Sequence, residues 1–318
     1  MDKKRILEVL QGEDNFLITS HLNPDGDAIG SSVALAIILT KLQKKVYLYN
    51  ESGLPDKFSW LSMPVQFHSN WPDFNPSWAI VLDCGDISRV GEQIQPILKK
   101  TKIINIDHHL DNPHFGDLNF IQETASSVGE IIAHFAEELN ICLEGDLAQA
   151  IYLALVSDTG SFSYSSTTSY AHNITATMIK NGLDVGKINM LLSQIWSVNK
   201  IKLLSLVMNS LETFCNDQIA LITITQNMLQ QTQTGPEDCD GFITYVRNIK
   251  GVKVAVSLRE EEQNKIKFSL RSYETNVQRI ASDLGGGGHK NASGGILDVS
   301  LQEAKNLIIE KIKQYLCT

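Results

Sequence analysis

The chain has 318 residues, of which 43% are hydrophobic and 20% charged, and it carries a formal net charge of -9. This is the composition of a globular protein, not of a disordered or fibrous one, and the length suits about two domains, each able to bury a core. The acidic balance excludes a general affinity for long duplex nucleic acid, which needs many Lys and Arg contacts to phosphates; an anionic substrate must be held by a local device.

No apolar run approaches the ~18 residues of a membrane span, and the charged segment from Met1 to Glu8 lacks the hydrophobic centre of a secretory signal. A cytoplasmic protein without a membrane partner is expected. Five cysteines, odd in number and without a CxxC pair, favour reduced thiols over a disulfide framework or a zinc ribbon.

In chain order, residues 1–13 read as an amphipathic helix. A short strand from Asn15 to Ser20 leads into the loop His21-Leu22-Asn23-Pro24-Asp25-Gly26-Asp27, and a helix follows from Ala28 to Gln43. Lys45 to Asn50 is a second strand. Residues 51–77, with four prolines at 55, 64, 72 and 76, suit loops and short helices. Trp78 to Leu82 and Lys102 to Ile106 are further strands, ending at Asp83-Cys84-Gly85-Asp86 and at Asp107-His108-His109. Helices are expected at Ser126–Leu139, Gly145–Val156, the latter running into Ser157-Asp158-Thr159, and Ser169–Asn181.

Strands alternating with helices predict an α/β domain over residues 1–184, a mainly parallel sheet with helices on both faces. Residues 185–213 read as a helical linker, which could also supply a homodimer contact. Residues 214–318 read as a smaller α/β domain. In it, strands at Gln218–Thr225, Val252–Leu258, Lys265–Ser272 and Gly295–Val299 interleave with helices at Asp240–Lys250, Asn276–Leu284 and Ser300–Leu316.

The clusters that end these apolar runs share one chemistry. His21, Asp25, Asp27, Asp83, Asp107, His108, His109 and Asp158 are all metal-capable, and in parallel α/β sheets such strand-end loops face a common crevice. So many carboxylates in one place would repel one another unless cations lay among them. Carboxylate and imidazole without thiolate favour Mn²⁺ or Mg²⁺, and two ions sharing a carboxylate are suited to phosphoester hydrolysis.

Near the C-terminus, Gly285-Gly286-Gly287-Gly288-His289-Lys290-Asn291-Ala292-Ser293 exceeds what a helix cap needs and fits neither a Walker loop nor a dinucleotide fingerprint. Consecutive glycines let backbone N–H groups approach an anion or a flat base. Nine Lys and Arg stand against five acids between residues 247 and 290. Of these, Arg259 and Arg271, expected to end adjacent strands, are the candidates for gripping a terminal phosphate.

Taken together, the four N-terminal clusters resemble the DHH phosphoesterase family, and the glycine-rich block resembles its DHH-associated C-terminal domain, so the likeness spans nearly the whole chain. The resemblance implies one ion on His21, Asp25 and Asp83 and a second on Asp27, Asp83, His108 and Asp158. His109 would face the scissile phosphate and Asp107 would orient its neighbours. Gly286, Gly287, Gly288, His289, Ser293, Arg259 and Arg271 would hold the nucleotide.

Size and motifs resemble the branch of that family that hydrolyses short single-stranded RNA to mononucleotides and converts 3'-phosphoadenosine 5'-phosphate (pAp) to AMP, with two Mn²⁺ (or Mg²⁺) as cofactors. A phosphodiesterase for linear dinucleotides, or an inactive nucleotide-binding module, would share the same motifs.

Overall fold

The computed structural model describes residues 2–70, 74–193, 196–262 and 264–316. Pro72, expected in a loop, lies outside them, as does the side chain of His289. The chain divides into two compact units, residues 1–195 and 196–318.

In the first unit the elements run α1 (Asp2–Gly12), β1 (Phe16–Ser20), α2 (Gly26–Lys41), β2 (Val46–Tyr49), β3 (Phe67–His68), β4 (Trp78–Leu82), α3 (Gln95–Leu98), β5 (Lys102–Asp107), β6 (Leu118–Ile121), α4 (Val128–Glu138), α5 (Gly145–Asp158), α6 (Ser169–Lys180) and α7 (Val185–Ser193). Six parallel strands form one sheet in the order β3-β2-β1-β4-β5-β6.

β1 shows why this sheet is covered on both faces. Phe16 and Ile18 join the large core built with α2, α4 and α5, while Leu17 points the other way, into a cluster with Tyr47, Val81, Ile94 and Leu98. The order reverses between β1 and β4, and both strands deliver their carboxyl ends there, the usual place for a ligand crevice in an open α/β sheet. Two strands of this sheet lay outside the sequence reading: β3 is only two residues long, and β6 follows a turn too polar to give a clear alternation.

Small residues let α2, α4 and α5 approach closely. A Cβ on Gly30 would lie 2.5 Å from the Ala150 carbonyl oxygen, and one on Gly129 would lie 2.3 Å from the Ala154 methyl. This contact sets the distance between the start of α2, the start of α4 and the end of α5, which carry Asp27, Val128 and Asp158.

The second unit contains α8 (Val198–Asn209), β7 (Glu212–Phe214), β8 (Ile219–Ile224), α9 (Gln226–Thr232), α10 (Phe242–Arg247), β9 (Val254–Glu262), β10 (Lys265–Arg271), α11 (Val277–Ser282), β11 (Gly287–His289), β12 (Ala292–Leu297) and α12 (Leu301–Leu316). Its sheet runs β11-β12-β10-β9-β8-β7, mixed in direction, with β8 and β9 parallel and the other pairs antiparallel. One face carries α11 and α12 over Val256, Phe268 and Leu270; on the other, α8, α9 and α10 cover Ala220, Ile222 and Ala255.

The segment 185–213 is divided between the units. α7 falls in the first, while Leu203 and Val207 of α8 are fully buried in the second. Its last residues enter β7.

Candidate active site

Asp83 is the centre of the first unit's strand-end loops. It follows β4 with φ of 50°, a left-handed conformation uncommon for a residue with a side chain, and is almost fully buried. Its Oδ2 lies 3.7 Å from Nε2 of His21, and its Oδ1 lies 3.8 Å from Nε2 of His108. One carboxylate thus faces the Nε2 atoms of His21 and His108 through different oxygens, with Nδ1 of His109 also 3.7 Å from Oδ1.

Both imidazoles are aimed the same way. Nδ1 of His21 is 2.7 Å from the Leu22 carbonyl oxygen and Nδ1 of His108 is 3.3 Å from that of Ala125, which leaves each Nε2 pointing among the carboxylates. This is how a protein sets the tautomer of a metal-binding histidine. His108 Nε2 is also 3.1 Å from Asp158 Oδ2 and 3.9 Å from Asp27 Oδ2, while His21 Nε2 is 4.0 Å from Asp25 Oδ1.

Asp27 is fully buried, and both its oxygens accept hydrogen bonds from the first amides of α4, Val128 N at 2.7 Å and Gly129 N at 2.9 Å. A helix N-terminus favours the anion. Asp25 caps α2, accepting from the amides of Asp27 and Ala28.

Asp107 is also buried. It accepts from Nδ1 of His109 at 2.8 Å, from Asn112 Nδ2 at 2.7 Å and from the His108 amide. The His109 ring, its side chain 43% exposed, therefore has Nδ1 committed to Asp107, and Nε2 has no hydrogen-bond partner among the described residues.

The protonation pattern fits an unneutralised anionic cluster. Burial, followed by the charges of Asp83 and Asp158, pushes the Asp27 carboxyl well above the ordinary range, outweighing its two amide bonds. Burial likewise raises Asp158. Burial works against a charged His108, yet the Asp158 hydrogen bond and the charge of Asp83 carry it up to about 9. Asp107, through its bond to His109, raises that imidazole against the effect of burial. Burial would raise Asp107 too, but the hydrogen bonds from His109 and Asn112 bring it below the ordinary value.

Three groups of side chains, His21 with Asp25 and Asp83, Asp27 with His108 and Asp158, and Asp83 with His108 and His109, each place their ligand atoms within 4.8 Å of one another. The donors are oxygens and imidazole nitrogens, the set that suits hard or borderline divalent cations. Cys84, beside Asp83, adds no thiolate: it is buried, burial pushes its thiol up to about 12, and its Sγ donates to the Asp86 carbonyl. The residues present fit a divalent metal centre.

With that geometry, the matches to known sequences are decisive. Residues 15–155 match the DHH family, N-terminal domain, and residues 216–317 match the DHHA1 domain. A Streptococcus mutans protein described as a probable bifunctional oligoribonuclease and PAP phosphatase NrnA is 31% identical over 92% of both chains.

The chain belongs to the DHH family. It is a hydrolytic enzyme acting on phosphoester bonds. Among solved structures, an exopolyphosphatase-related protein from Bacteroides fragilis superposes on this DHH-family chain with a TM-score of 0.90 at 26% identity, covering 98% of this chain and 95% of that one. RecJ from Thermus thermophilus, solved in complex with Mn²⁺, shares the fold at a TM-score of 0.52 and 11% identity, covering 98% of this chain and 53% of its own.

In the DHHA1 unit, alternation along β9 and β10 puts Ser257, Arg259, Lys267, Ser269 and Arg271 on one face, where they line a recess closed by Cys239, Asp240, Gly241 and Ile243. Arg259 does not end its strand. β9 continues to Glu262, Arg259 stands opposite Lys267, and Arg271 stands opposite Ala255. The register therefore puts Arg259 and Lys267 at one end of the recess and Arg271 at the other, four residues along the paired strands.

Arg259 is already engaged, donating to Glu261 Oε1 and to the Pro236 carbonyl, whereas among the described residues Arg271 donates only to its own neighbour's carbonyl, that of Leu270. Burial and the nearby Arg247 lower the Arg271 pKa, with Asp240 opposing them.

The glycine block is not a free turn. Gly287 to His289 form β11, paired with β12, and a Cβ on Gly286 would lie 2.3 Å from the Gly294 carbonyl oxygen. Gly288, with φ of 134°, lies in the region that favours glycine. Ser293 is buried and donates to the Val277 carbonyl at the start of α11.

Lys267, Ser257 and Ser269 join the candidate residues only through strand register. Asn112 and the Val128 and Gly129 amides escaped the sequence reading too. A polar residue three positions after His109 was the one available signal for the first of them.

Proposed function

We propose that this chain hydrolyses short oligoribonucleotides to mononucleotides and pAp to AMP, using two divalent cations, with Mn²⁺ the preferred ion and Mg²⁺ able to replace it. The carrying observation is the position of Asp83 between two imidazoles whose Nε2 atoms both face carboxylates. The name of the Streptococcus mutans relative and the Mn²⁺ of the RecJ structure support the choice of substrate and ion.

On this reading His21, Asp25 and Asp83 would hold one ion, and Asp27, Asp83, His108 and Asp158 would hold the other. Bound ions supply Lewis acidity toward the attacking water and the charge that grows on the phosphoryl oxygens. Asp83 would serve both sets of ligands, and Asp27 is fixed against the start of α4 by its two amide bonds. His109 donates its Nε2 proton to the leaving oxygen and ends as the neutral tautomer with Nδ1–H on Asp107, whose bond favours the charged imidazole beforehand.

In the second unit Arg271, the more loosely held guanidinium, takes a phosphate, with Lys267 and Arg259 lining the same recess. The backbone of Gly286 to Gly288, with His289 and Ser293 next to it, holds the base.

The test is a substrate panel with Mn²⁺: pAp, the dinucleotides pApA and pGpG, and a long RNA. Release of AMP from pAp and of mononucleotides from the dinucleotides, with the long RNA cut far more slowly, is expected. Equal rates on the long RNA and on dinucleotides would contradict the length preference. Absence of turnover on both pAp and dinucleotides would overturn the proposed substrates.

A further inference from the structure

Asn105 lies in the middle of β5 with no exposed surface, a costly place for an amide. It belongs to a buried chain of side chains. Asn119 Oδ1 and Asn112 Oδ1 both accept from Asn105 Nδ2, at 3.3 and 2.8 Å. Asn112 Nδ2 in turn faces three acceptors: Asp107 Oδ2 at 2.7 Å, the Cys84 carbonyl oxygen at 3.3 Å and Asn105 Oδ1 at 3.4 Å. The shortest of these is the one to the carboxylate.

The Asp107 carboxylate divides its work between its oxygens. Oδ1 accepts from the His108 amide and from Nδ1 of His109, both at 2.8 Å, while Oδ2 receives the Asn112 amide. Fixing Oδ2 fixes the plane of the carboxylate, and with it the direction in which Oδ1 meets the imidazole. The same amide reaches the carbonyl of Cys84, the residue after Asp83. One buried side chain therefore touches both the pair that orients His109 and the turn that carries Asp83.

We propose that Asn112 is a positioning residue: through Asp107 it sets the orientation and tautomer of His109 relative to the Asp83 turn. This deepens the phosphoesterase reading and rests on it for its kinetic consequence, though not for its structural one. Asn112 Oδ1 accepts from the His114 amide as well as from Asn105, so the loop from 109 to 114 holds Asn112 through its own backbone when Asn105 is changed. Side chains that orient groups at a metal centre typically contribute about 10- to 100-fold in activity or affinity.

The experiment compares Asn112→Leu and Asn112→Ala with Asn105→Leu. The Asn105 variant removes a buried amide from the same chain but leaves the donor to Asp107 in place, so it controls for a merely structural role. In the metal-free protein with ¹⁵N-labelled histidine, the hydrogen-bonded Nδ1 proton of His109 is expected far downfield in the wild type. It should persist in Asn105→Leu and be lost or moved upfield in both Asn112 variants.

With Mn²⁺ and pAp, Asn112→Leu should lower kcat by about 10- to 100-fold with KM within about twofold, and Asn105→Leu by less than about threefold. An unchanged His109 resonance in the folded Asn112 variants overturns the proposal, as does a kcat loss matching that of Asn105→Leu. Failure of the wild type to hydrolyse pAp or dinucleotides would instead defeat the proposed function, and the resonance comparison would still decide the role of Asn112.

Discussion

Nε2 of His21 lies 3.7 Å from Oδ2 of Asp83, while the other oxygen of the same carboxylate looks toward His108. A residue so placed cannot be removed from one half of the centre alone. If the two-ion proposal holds, Asp83→Ala should abolish tight Mn²⁺ binding at both sites, read by calorimetric stoichiometry, and lower turnover by about 10³-fold or more, some 4 kcal/mol of transition-state stabilisation. Manganese-dependent activity surviving that change would mean the ligands are assigned wrongly.

Cation binding should depend on pH in a defined direction. In the cation-free protein His108 has its pKa raised from 6.5 to about 9, so near neutral pH it is protonated and must release that proton to bind through Nε2. Apparent Mn²⁺ affinity should rise with pH, by up to about tenfold per unit for this proton, and level off near 9.

Stability of the cation-free protein should move the opposite way. The contribution of His108 is fully present below 6.5 and is lost as pH rises through about 9, and the raised carboxyls of Asp27 and Asp158 act in the same sense. Denaturant titrations of the metal-free protein between pH 6 and 9 check it.

The close approach of α2 to α5 predicts a cost for any side chain at Gly30. A Cβ there would meet backbone, 2.5 Å from the Ala150 oxygen and 2.8 Å from the Ala154 nitrogen. Gly30→Ala should destabilise by about 1–3 kcal/mol. Because the same contact spaces Asp27 from Asp158, Mn²⁺ should also bind more weakly. Calorimetry and thermal melts with and without Mn²⁺ measure both; a variant as stable as wild type would show that the helices separate at no cost.

The two recess arginines should differ. Arg259 is held by Glu261 and the Pro236 carbonyl, whereas among the described residues Arg271 has only the Leu270 carbonyl. Arg271→Ala should raise KM for pAp by about tenfold, worth ~1.4 kcal/mol, with a smaller effect on kcat. Arg259→Ala should change KM less and stability more. Steady-state kinetics paired with denaturant unfolding separates them, and the reverse order would exchange the roles.

Much of the centre was legible in the sequence because its residues end apolar runs. Asp25 and Asp27 follow β1, Asp83 follows β4, Asp107 to His109 close β5, and hydrophobic periodicity finds those ends without knowing what lies beside them. Local chemistry also announced two α/β units, since strand and helix periods alternate in both.

What the sequence could not determine is which strands neighbour one another, because pairing is made by residues far apart in the chain. The order β3-β2-β1-β4-β5-β6 places Asp83 between the His21 loop and the Asp107 loop. The register of β9 against β10 separates Arg259 from Arg271, and pairing with β12 turns the glycines into a strand. The amides of Val128 and Gly129 reach Asp27 only across the α2–α4 packing, and Asn112 reaches Asp107 only once its loop folds back over β5. Residue types fixed the available chemistry; tertiary pairing decided which atoms meet.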